Sequence, residues 1–216
     1  MAVDLAAILP LSEASADSAF TPLAGETSVV RVARTMRGAA VVAAAESLVL
    51  RVRETLAAQG LSDVAVVAAD RRGSRARCLA AGLQCFGQPR HVLIHDIRRP
   101  LAPASLSDRV IDALRAGGST VMPMLPVTDS VKAVDAMGTV TTTLDRSMLR
   151  LVQHPRGFTG DQLARLLAAC ASDDFDELDE SLRAGAPITL VDGDADAFVV
   201  ELPRDAGYVE AIIAER

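Results

Sequence analysis

An apolar run that ends in ionisable residues is the strongest chemical signal in the chain. Residues 91–100 read HVLIHDIRRP, and residues 92–95 predict a buried parallel strand with Asp96 at its carboxyl end. In open α/β sheets, ligands bind outside the carboxyl ends of the strands. A carboxylate there can hold Mg²⁺ together with substrate phosphates, and a neighbouring arginine can grip a phosphate. Alternatively, Asp96 caps the next helix and the arginines lie on a solvated loop.

A second basic segment spans residues 70–79, which read DRRGSRARCL. Its four arginines form a candidate anion-binding loop, and the same pattern is equally compatible with the solvated start of a helix. Two further ionisable features give weaker indications of a functional site. The acidic run at residues 173–180 is typical of a solvated helix face, with a metal site as the alternative, and His154 is a weak candidate for a general acid.

Alternating strands and helices position these residues. Apolar periodicity predicts strands at residues 5–11, 39–45, 64–68, 92–95, 119–125 and 188–191. It predicts helices at residues 28–36, 47–58, 76–83, 105–116, 161–171 and 205–215. This order predicts an α/β fold, a Rossmann-like and mostly parallel sheet flanked by helices, with right-handed crossovers. Residues 12–18 read as a flexible polar loop.

Residues 126–147 predict a protruding β-hairpin. Two alternating segments, 130–134 and 139–143, flank a turn at residues 135–138. A lone two-stranded hairpin is marginally stable in water, so we expect this arm to pack on something.

Composition limits the classes of function. The length of 216 residues suits one domain, residues 1–216 including the arm. A net charge of −6, the lack of tryptophan and a single tyrosine argue against a nucleic-acid partner. Three cysteines without a CxxC pair favour a reduced, cytoplasmic setting. No long uncharged apolar segment predicts a membrane span.

Several motifs in about the C-terminal 125 residues occur in an order that is typical of one known family. They are His95-Asp96-x-x-Arg99-Pro100, LPVTDSVK at 125–132, LDR at 144–146, VQHPRGFT at 152–159 and VDGD at 191–194. The chain thereby resembles the 2-C-methyl-D-erythritol 4-phosphate cytidylyltransferases of the nonmevalonate isoprenoid pathway. The first 90 residues resemble them mainly in layout. The resemblance implies a fold of the nucleotide-diphospho-sugar transferase type and a homodimer formed through the arm.

The resemblance also implies an activity and a site. The family forms CDP-methylerythritol and pyrophosphate from CTP and methylerythritol phosphate, with Mg²⁺. By resemblance, Arg99 and Arg146 are catalytic, and Asp96 holds the metal. Ser130 and Arg146 bind the sugar-alcohol phosphate in the partner subunit's site. The implied nucleotide-binding residues are Pro10, Leu11, Ser12, Ser18, Arg75, Cys78 and Asp96.

Three departures from the family pattern support an alternative. The Gly-rich phosphate loop is missing, since residues 1–24 contain no glycine and include Glu13 and Asp17. Ser18 and Val199 stand where the family has phosphate-binding lysines. Each close anion pair costs about 4 kcal/mol at an intermediate dielectric, and a lost cationic group costs about 10²–10³ in rate. The alternative is an impaired or inactive dimeric paralogue with a binding or regulatory role; a transferase for another sugar phosphate is a third hypothesis.

Overall fold

A mixed eight-stranded sheet forms the centre of the molecule. The computed structural model describes residues 3–170 and 175–215. The strands that form the sheet are β1 (Leu5–Leu11), β4 (Ala39–Ala44), β5 (Ala65–Ala68), β6 (His91–Ile94), β7 (Thr120–Pro126), β10 (Arg150–Val152), β11 (Arg156–Thr159) and β12 (Thr189–Asp192). A short ribbon contains β2 (Pro22–Leu23) and β3 (Glu26–Thr27), and the arm contains β8 (Val131–Val134) and β9 (Val140–Leu144).

The sheet is parallel except at two strands, β10 and β11. Strand β1 lies between β4 and β6 and is parallel to both, and β5 follows β4. Strand β11 lies between β6 and β7 and runs antiparallel to them, β10 pairs antiparallel with the end of β7, and β12 pairs with β7 in parallel. This confirms the predicted α/β class with a mostly parallel sheet.

Helices cover both faces of the sheet. They are α1 (Ala16–Phe20), α2 (Ser28–Thr35), α3 (Val49–Ala58), α4 (Arg75–Cys85), α5 (Ala104–Arg115), α6 (Gly160–Ala169), α7 (Glu177–Arg183) and α8 (Ala206–Ala214). Alternate residues of β1 point to opposite faces: Ala7 and Leu9 pack with α2, α3 and α5, whereas Ile8 packs with α4 and α6. Within residues 3–170 and 175–215, no helix has the length and apolar character needed to cross a bilayer.

The predicted helices and strands agree with the structure within two residues at each end. Pro10 lies inside β1 opposite Ala43. One expectation was wrong. Residues 12–18 do not form an irregular loop, since Glu13–Ser15 form a 3₁₀ turn that leads into α1.

The antiparallel strand β11 is the central strand that the sequence did not predict. Its four residues begin with a charged arginine, so no apolar run marks them. Gly157 lets α5 pack directly on the strand, because a Cβ at this position would lie 2.4 Å from Val110 Cγ1. Phe158 points to the opposite face and is fully buried, as expected for a core residue.

The arm is a hairpin with its own two-stranded sheet. Strands β8 and β9 pair antiparallel, and the side chain of Asp135 accepts hydrogen bonds from the backbone of Met137 and Thr139 in the turn. Gly138 adopts a positive φ of 83°, which few other residues tolerate. Several of the arm's apolar side chains are exposed, namely Val134, Met137, Val140 and Leu144. Packing of the arm on a second subunit stays a prediction.

Two glycines in helices should respond oppositely to alanine. In Gly82→Ala, the new Cβ would lie 2.7 Å from Ile8 Cγ2, so we expect a loss of about 1–3 kcal/mol despite the better helix propensity. In Gly207→Ala, no atom lies within 4 Å of the new Cβ, and we expect a gain of up to about 1 kcal/mol. Urea denaturation of both variants measures the difference. Equal effects would show that α4 does not pack tightly on β1.

Candidate functional site

A cleft lined by several polar residues lies at the carboxyl ends of β1 and β6. Its volume is about 280 Å³. The lining residues are Pro10, Ser12, Ala14, Ser15, Ser18, Arg75, Asp96, Ile97 and Arg98. The location follows the general rule for open α/β sheets, because parallel strands end together at this edge. The structure therefore brings five of the predicted residues, Pro10, Ser12, Ser18, Arg75 and Asp96, to one cleft.

Asp96 is almost completely buried at the end of β6, with 4 % of its side chain exposed. Arg98 grips it: Nη2 donates to Oδ2 at 2.8 Å, and Nε donates to Oδ1 at 3.2 Å. The Arg98 backbone N–H also donates to Oδ1, at 2.9 Å. Burial on its own would raise the pKa of Asp96, but its cationic neighbours hold that pKa well below the usual range. Asp96 is therefore an ionised carboxylate at neutral pH.

A second buried carboxylate, Glu177, lies next to this group at the start of α7. Its side chain is 0 % exposed. Arg75 Nε donates to Oε1 at 2.6 Å, and Arg156 Nη1 donates to Oε2 at 2.7 Å. Burial opposes the charge of Glu177, yet the two arginines keep its pKa well below the usual range. Glu177 thus fixes Arg75, which lines the cleft, to α7 and β11.

The prediction that the acidic run forms a solvated helix face was therefore wrong at Glu177. Asp176 is the N-cap of α7 and accepts hydrogen bonds from the backbone N–H groups of Leu178 and Asp179. It also pairs with Arg156, at 3.0 Å. Asp173 and Asp174 lie outside the described residues. The run acts in helix capping and ion pairing at the positions that the structure describes.

His154 lies between the two buried carboxylates. Its Nδ1 is 3.9 Å from Asp96 Oδ2, and its Nε2 is 3.8 Å from Glu177 Oε2. Arg75 Nη2 is 3.3 Å from Nε2. Burial lowers the pKa of His154 to about 4, so the imidazole is neutral at pH 7. A neutral imidazole is a poor proton donor, which argues against the general-acid interpretation.

Arg99 points away from the cleft. Its guanidinium donates to the backbone carbonyls of Ala197 and Val152. Burial lowers the pKa of Arg99 to about 10. Arg98, rather than Arg99, lines the cleft, and its side chain is 56 % exposed. In this structure Arg99 connects the end of β6 to β10 and to the 3₁₀ turn at Ala195–Ala197, and its catalytic role stays a prediction.

Two of the predicted nucleotide-binding residues are buried beneath the cleft. Cys78 is fully buried, its Sγ donates to the carbonyls of Leu11 and Gly73, and burial raises its pKa to about 11. Leu11 is likewise fully buried. These side chains support the walls of the cleft. Ser18 lines the cleft while its hydroxyl donates to Leu202 O at 3.1 Å.

Ser130 and Arg146 are exposed at the base of the arm. The Arg146 guanidinium donates to the backbone carbonyl of Thr128. Neither residue lines the 280 Å³ cleft of its own chain. Their predicted contact with a partner subunit's substrate stays a prediction.

Sequence reasoning missed Arg98, Arg156 and Glu177. Arg98 and Arg99 are adjacent, and the sequence pattern does not show which of them turns toward Asp96. Arg156 and Glu177 lie 21 positions apart, and each is marked in the sequence only as a charged residue two positions from an aromatic one, Phe158 and Phe175 respectively. A search for charged residues two positions from an aromatic residue would have included both.

Asp96 fits a divalent cation that is bound together with phosphates. Its ionised carboxylate lines the cleft, and His154 Nδ1 beside it is a buried polar atom without a hydrogen-bond partner among the described residues. Within the same residues, no three His, Cys, Asp or Glu side chains converge on one point. Phosphates and water would thus have to complete the ligand set, as is usual for Mg²⁺.

The fold and the cleft together define a nucleotidyltransferase-like α/β protein. Comparison with known proteins identifies the family: the sequence model described as 2-C-methyl-D-erythritol 4-phosphate cytidylyltransferase matches residues 12–215. The chain belongs to this family. The resemblance stated from the motifs is thereby confirmed.

Relatives support this assignment over nearly the whole chain. The proteins named 2-C-methyl-D-erythritol 4-phosphate cytidylyltransferase of Rhodococcus opacus (strain B4) and Saccharopolyspora erythraea are 37 % and 34 % identical to it. The matches cover 91 % and 93 % of this chain and 87 % and 92 % of the relatives. The crystal structure of the protein of that name from Thermus thermophilus superposes with a TM-score of 0.75. It is 25 % identical, and the match covers 99 % of this chain and 100 % of that chain. These comparisons do not favour the alternative, an inactive paralogue, over an active cytidylyltransferase.

Removing the charge of Glu177 should destabilise the protein. Glu177→Gln leaves Arg75 and Arg156 without their shared buried carboxylate, and we expect a loss of about 3–5 kcal/mol. Glu201→Gln is the matched control, because the pair of Glu201 with Arg204 is exposed and contributes about 0–1 kcal/mol. Chemical denaturation of both variants gives the comparison. A loss below that of the control would show that the arginines do not depend on Glu177.

Proposed function

We propose that the protein is a CTP:2-C-methyl-D-erythritol 4-phosphate cytidylyltransferase. In the proposed reaction, the phosphate group of methylerythritol phosphate attacks the α-phosphorus of CTP in line. The attack forms CDP-methylerythritol and releases pyrophosphate. The observation that carries the proposal is the joint placement of Asp96, Arg98 and Arg75 around one cleft in a chain of this family. Phosphoryl-type transfer depends mainly on positioning and on electrostatic stabilisation, and these residues offer both.

The two cleft arginines would act on the phosphates in different ways. Arg75 is held by Glu177 through a 2.6 Å hydrogen bond, so it presents a fixed positive charge. Arg98 is half exposed and bound mainly to Asp96, so it can turn from that carboxylate to a phosphate. A preoriented cation stabilises developing charge without reorganisation in the transition state. The positive charges of these two arginines offset part of the charge that the family's lysines would supply at the positions of Ser18 and Val199.

The two acidic residues of the 12–18 segment, Glu13 and Asp17, oppose nucleotide binding less than the sequence predicts. Glu13 does not line the Asp96 cleft. It lines a neighbouring cavity of about 610 Å³ together with Glu46, Ser47, Arg71 and Arg72. Its carboxylate therefore shares that cavity with two arginines. Asp17 is exposed to solvent, where its charge is screened. The argument for an inactive protein that rests on these charges is weakened accordingly.

Asp96 would hold the Mg²⁺ that the proposed activity requires. When bound, this cation neutralises charge on the phosphates. The chain itself would bind the nucleotide, orient it through Arg75 and Arg98, and place Ser12 and Ser18 against it. We further propose that residues 1–216 form one functional unit in the cytoplasm, where the thiols of Cys78, Cys85 and Cys170 would stay reduced.

Turnover tests the proposal directly. The purified protein is incubated with CTP, methylerythritol phosphate and Mg²⁺, and pyrophosphate release is followed. We expect product in the wild type and a decrease of about 10²–10³ in kcat/KM for Arg146→Ala, with an unchanged melting temperature. Arg150→Ala is the matched control, since its exposed guanidinium donates to the nearby backbone carbonyls of Ser147 and Leu149. A wild type that makes no pyrophosphate would refute the proposed activity.

The arm supplies the second part of the proposal, a homodimer. Exposed apolar side chains on both strands, among them Val134 and Val140, need a covering surface. A second copy of the chain fits this need, because the arm of each copy would place Arg146 and Ser130 near the cleft of the other. Each cleft would then be completed by its partner.

A charge on the arm should break the dimer. Val140→Asp would bury a carboxylate in the proposed interface, so light scattering at micromolar concentration should give half the mass of the wild type. Leu50→Asp is the control, because Leu50 is an exposed apolar residue of α3, outside the arm. The control should stay dimeric. A monomeric wild type would contradict the proposal.

A further inference from the structure

A cavity lies at the amino end of β6, at the other end of this strand from the cleft. Its volume is about 470 Å³, which is in the range of small-molecule sites. His91, the first residue of β6, lines the cavity, whereas Asp96 lies just beyond the last residue of the strand. Four residues of extended strand separate the two ends by about 13 Å. The cavity is therefore distinct from the cleft, and the proposed function leaves it unused.

Three arginines give this cavity a positive charge. They are Arg90 just before β6, Arg115 at the end of α5 and Arg165 in α6. Among the described residues that line the cavity, Asp161 is the one acid, and it forms no ion pair with these arginines. Three positive charges thus face one negative charge, and the lining keeps a positive excess that favours an anion.

The three guanidinium groups are available to a ligand. The Arg90 side chain has no hydrogen-bond or ion-pair partner among the described residues. Arg115 pairs with Asp4 at 3.5 Å, but both side chains are more than half exposed, so this pair is weak. Arg165 donates to Gln162 Oε1, a neutral acceptor. An anion can therefore replace these partners without breaking a buried ion pair.

The wall of the cavity contains a buried histidine with an unpaired ring nitrogen. His91 is 4 % exposed, and its Nδ1 has no hydrogen-bond partner among the described residues. Its side chain points to the α5 face of the sheet, because it lies two residues before Leu93, which packs on that face. Buried polar atoms nearly always have a partner, so a polar ligand here would satisfy a group that the fold leaves unpaired.

The arginines act on this histidine electrostatically. Burial lowers the pKa of His91, and the charges of Arg90 and Arg115 lower it further, against the opposing charge of Asp4. The charges of the two guanidinium groups therefore reach the ring. An anion in the cavity would offset their effect on it.

We propose that this cavity is an anion site that binds the diphosphate group of a small molecule through Arg90, Arg115 and Arg165, with His91 on its inner wall. Arginine suits this ligand, because its planar guanidinium can bond to phosphate oxygens through two N–H groups at once. Three arginines around one cavity exceed the needs of a single phosphate group. The site goes beyond the proposed transfer reaction and does not depend on it.

Nuclear magnetic resonance of the histidine side chains tests the proposal. The chain has three histidines, so the His91 signal is assigned by its loss in His91→Gln. Inorganic pyrophosphate is titrated into the wild type without Mg²⁺. We expect a saturable change at His91 with a dissociation constant of about 1 mM or less, and weaker binding of inorganic phosphate. No saturable change at His91, or phosphate binding as tight as that of pyrophosphate, would overturn the proposal.

Single arginine variants locate the site. Arg90→Gln and Arg165→Gln should each weaken pyrophosphate binding on the order of tenfold, because each removes charge-assisted hydrogen bonds. Arg53→Gln is the matched control, since Arg53 is an exposed arginine of α3 that donates to the backbone carbonyl of Val66. The control should bind as the wild type does, and melting temperatures check that all variants are folded. Equal affinities in all three variants would contradict the assignment.

A variant of the cleft separates the two sites, because pyrophosphate is also the product of the proposed reaction. Arg98→Gln alters the cleft alone, so the response of His91 should persist in it. A response that disappears in Arg98→Gln would show that it is transmitted from the cleft, and the separate site would be refuted. Turnover is measured independently: a His91 response without pyrophosphate release from CTP would leave the anion site standing and refute the transferase, and the reverse result would refute only the anion site.

Discussion

The buried carboxylate of Glu177 is the interaction on which the site depends. A charge in a protein interior is tolerated only when it is paired and hydrogen-bonded. Arg75 and Arg156 meet this need, and they come from α4 and β11, respectively. One side chain thus joins three elements that are distant in the sequence. Because Arg75 lines the cleft and Arg156 begins the inserted antiparallel strand, the same ion pairs fix the strand within the sheet and the guanidinium in the cleft.

Charge compensation links this network to Asp96. Two buried carboxylates, Asp96 and Glu177, share their surroundings with three arginines and a neutral histidine. Of these arginines, Arg98 is the most exposed, so it can leave its partner without unfolding its neighbours. The site therefore combines a rigid half, Arg75 and Glu177, with an exchangeable half, Asp96 and Arg98. This division matches a chemistry in which a cation and phosphates enter and leave a preorganised cleft.

The fold and part of the site could be predicted because their signals are local. Apolar runs and helical periodicity locate most elements within two residues, and an acid after a buried strand locates Asp96. Strand β11 was not predicted, because its four residues show no alternation of apolar and polar side chains and are stabilised by ion pairs with distant residues. Arg99 was selected by its resemblance to the family motif, and the sequence does not show which of Arg98 and Arg99 turns toward Asp96, because both follow the same strand. Only the fold shows that Arg99 turns to the carbonyls of Val152 and Ala197.

The sequence by itself determined the family, the α/β class and the strand end that carries Asp96, since each depends on residue types within a short span. The tertiary structure decided which charged residues meet. Arg75, His154 and Glu177 are separated by 79 and 23 positions (154 − 75 and 177 − 154), and no local pattern connects them. Their contact follows from the order of strands in the sheet, which brings α4, the loop before β11 and α7 to one edge. Burial there turns three ordinary ionisable side chains into a coupled group, because the charges are no longer screened by water.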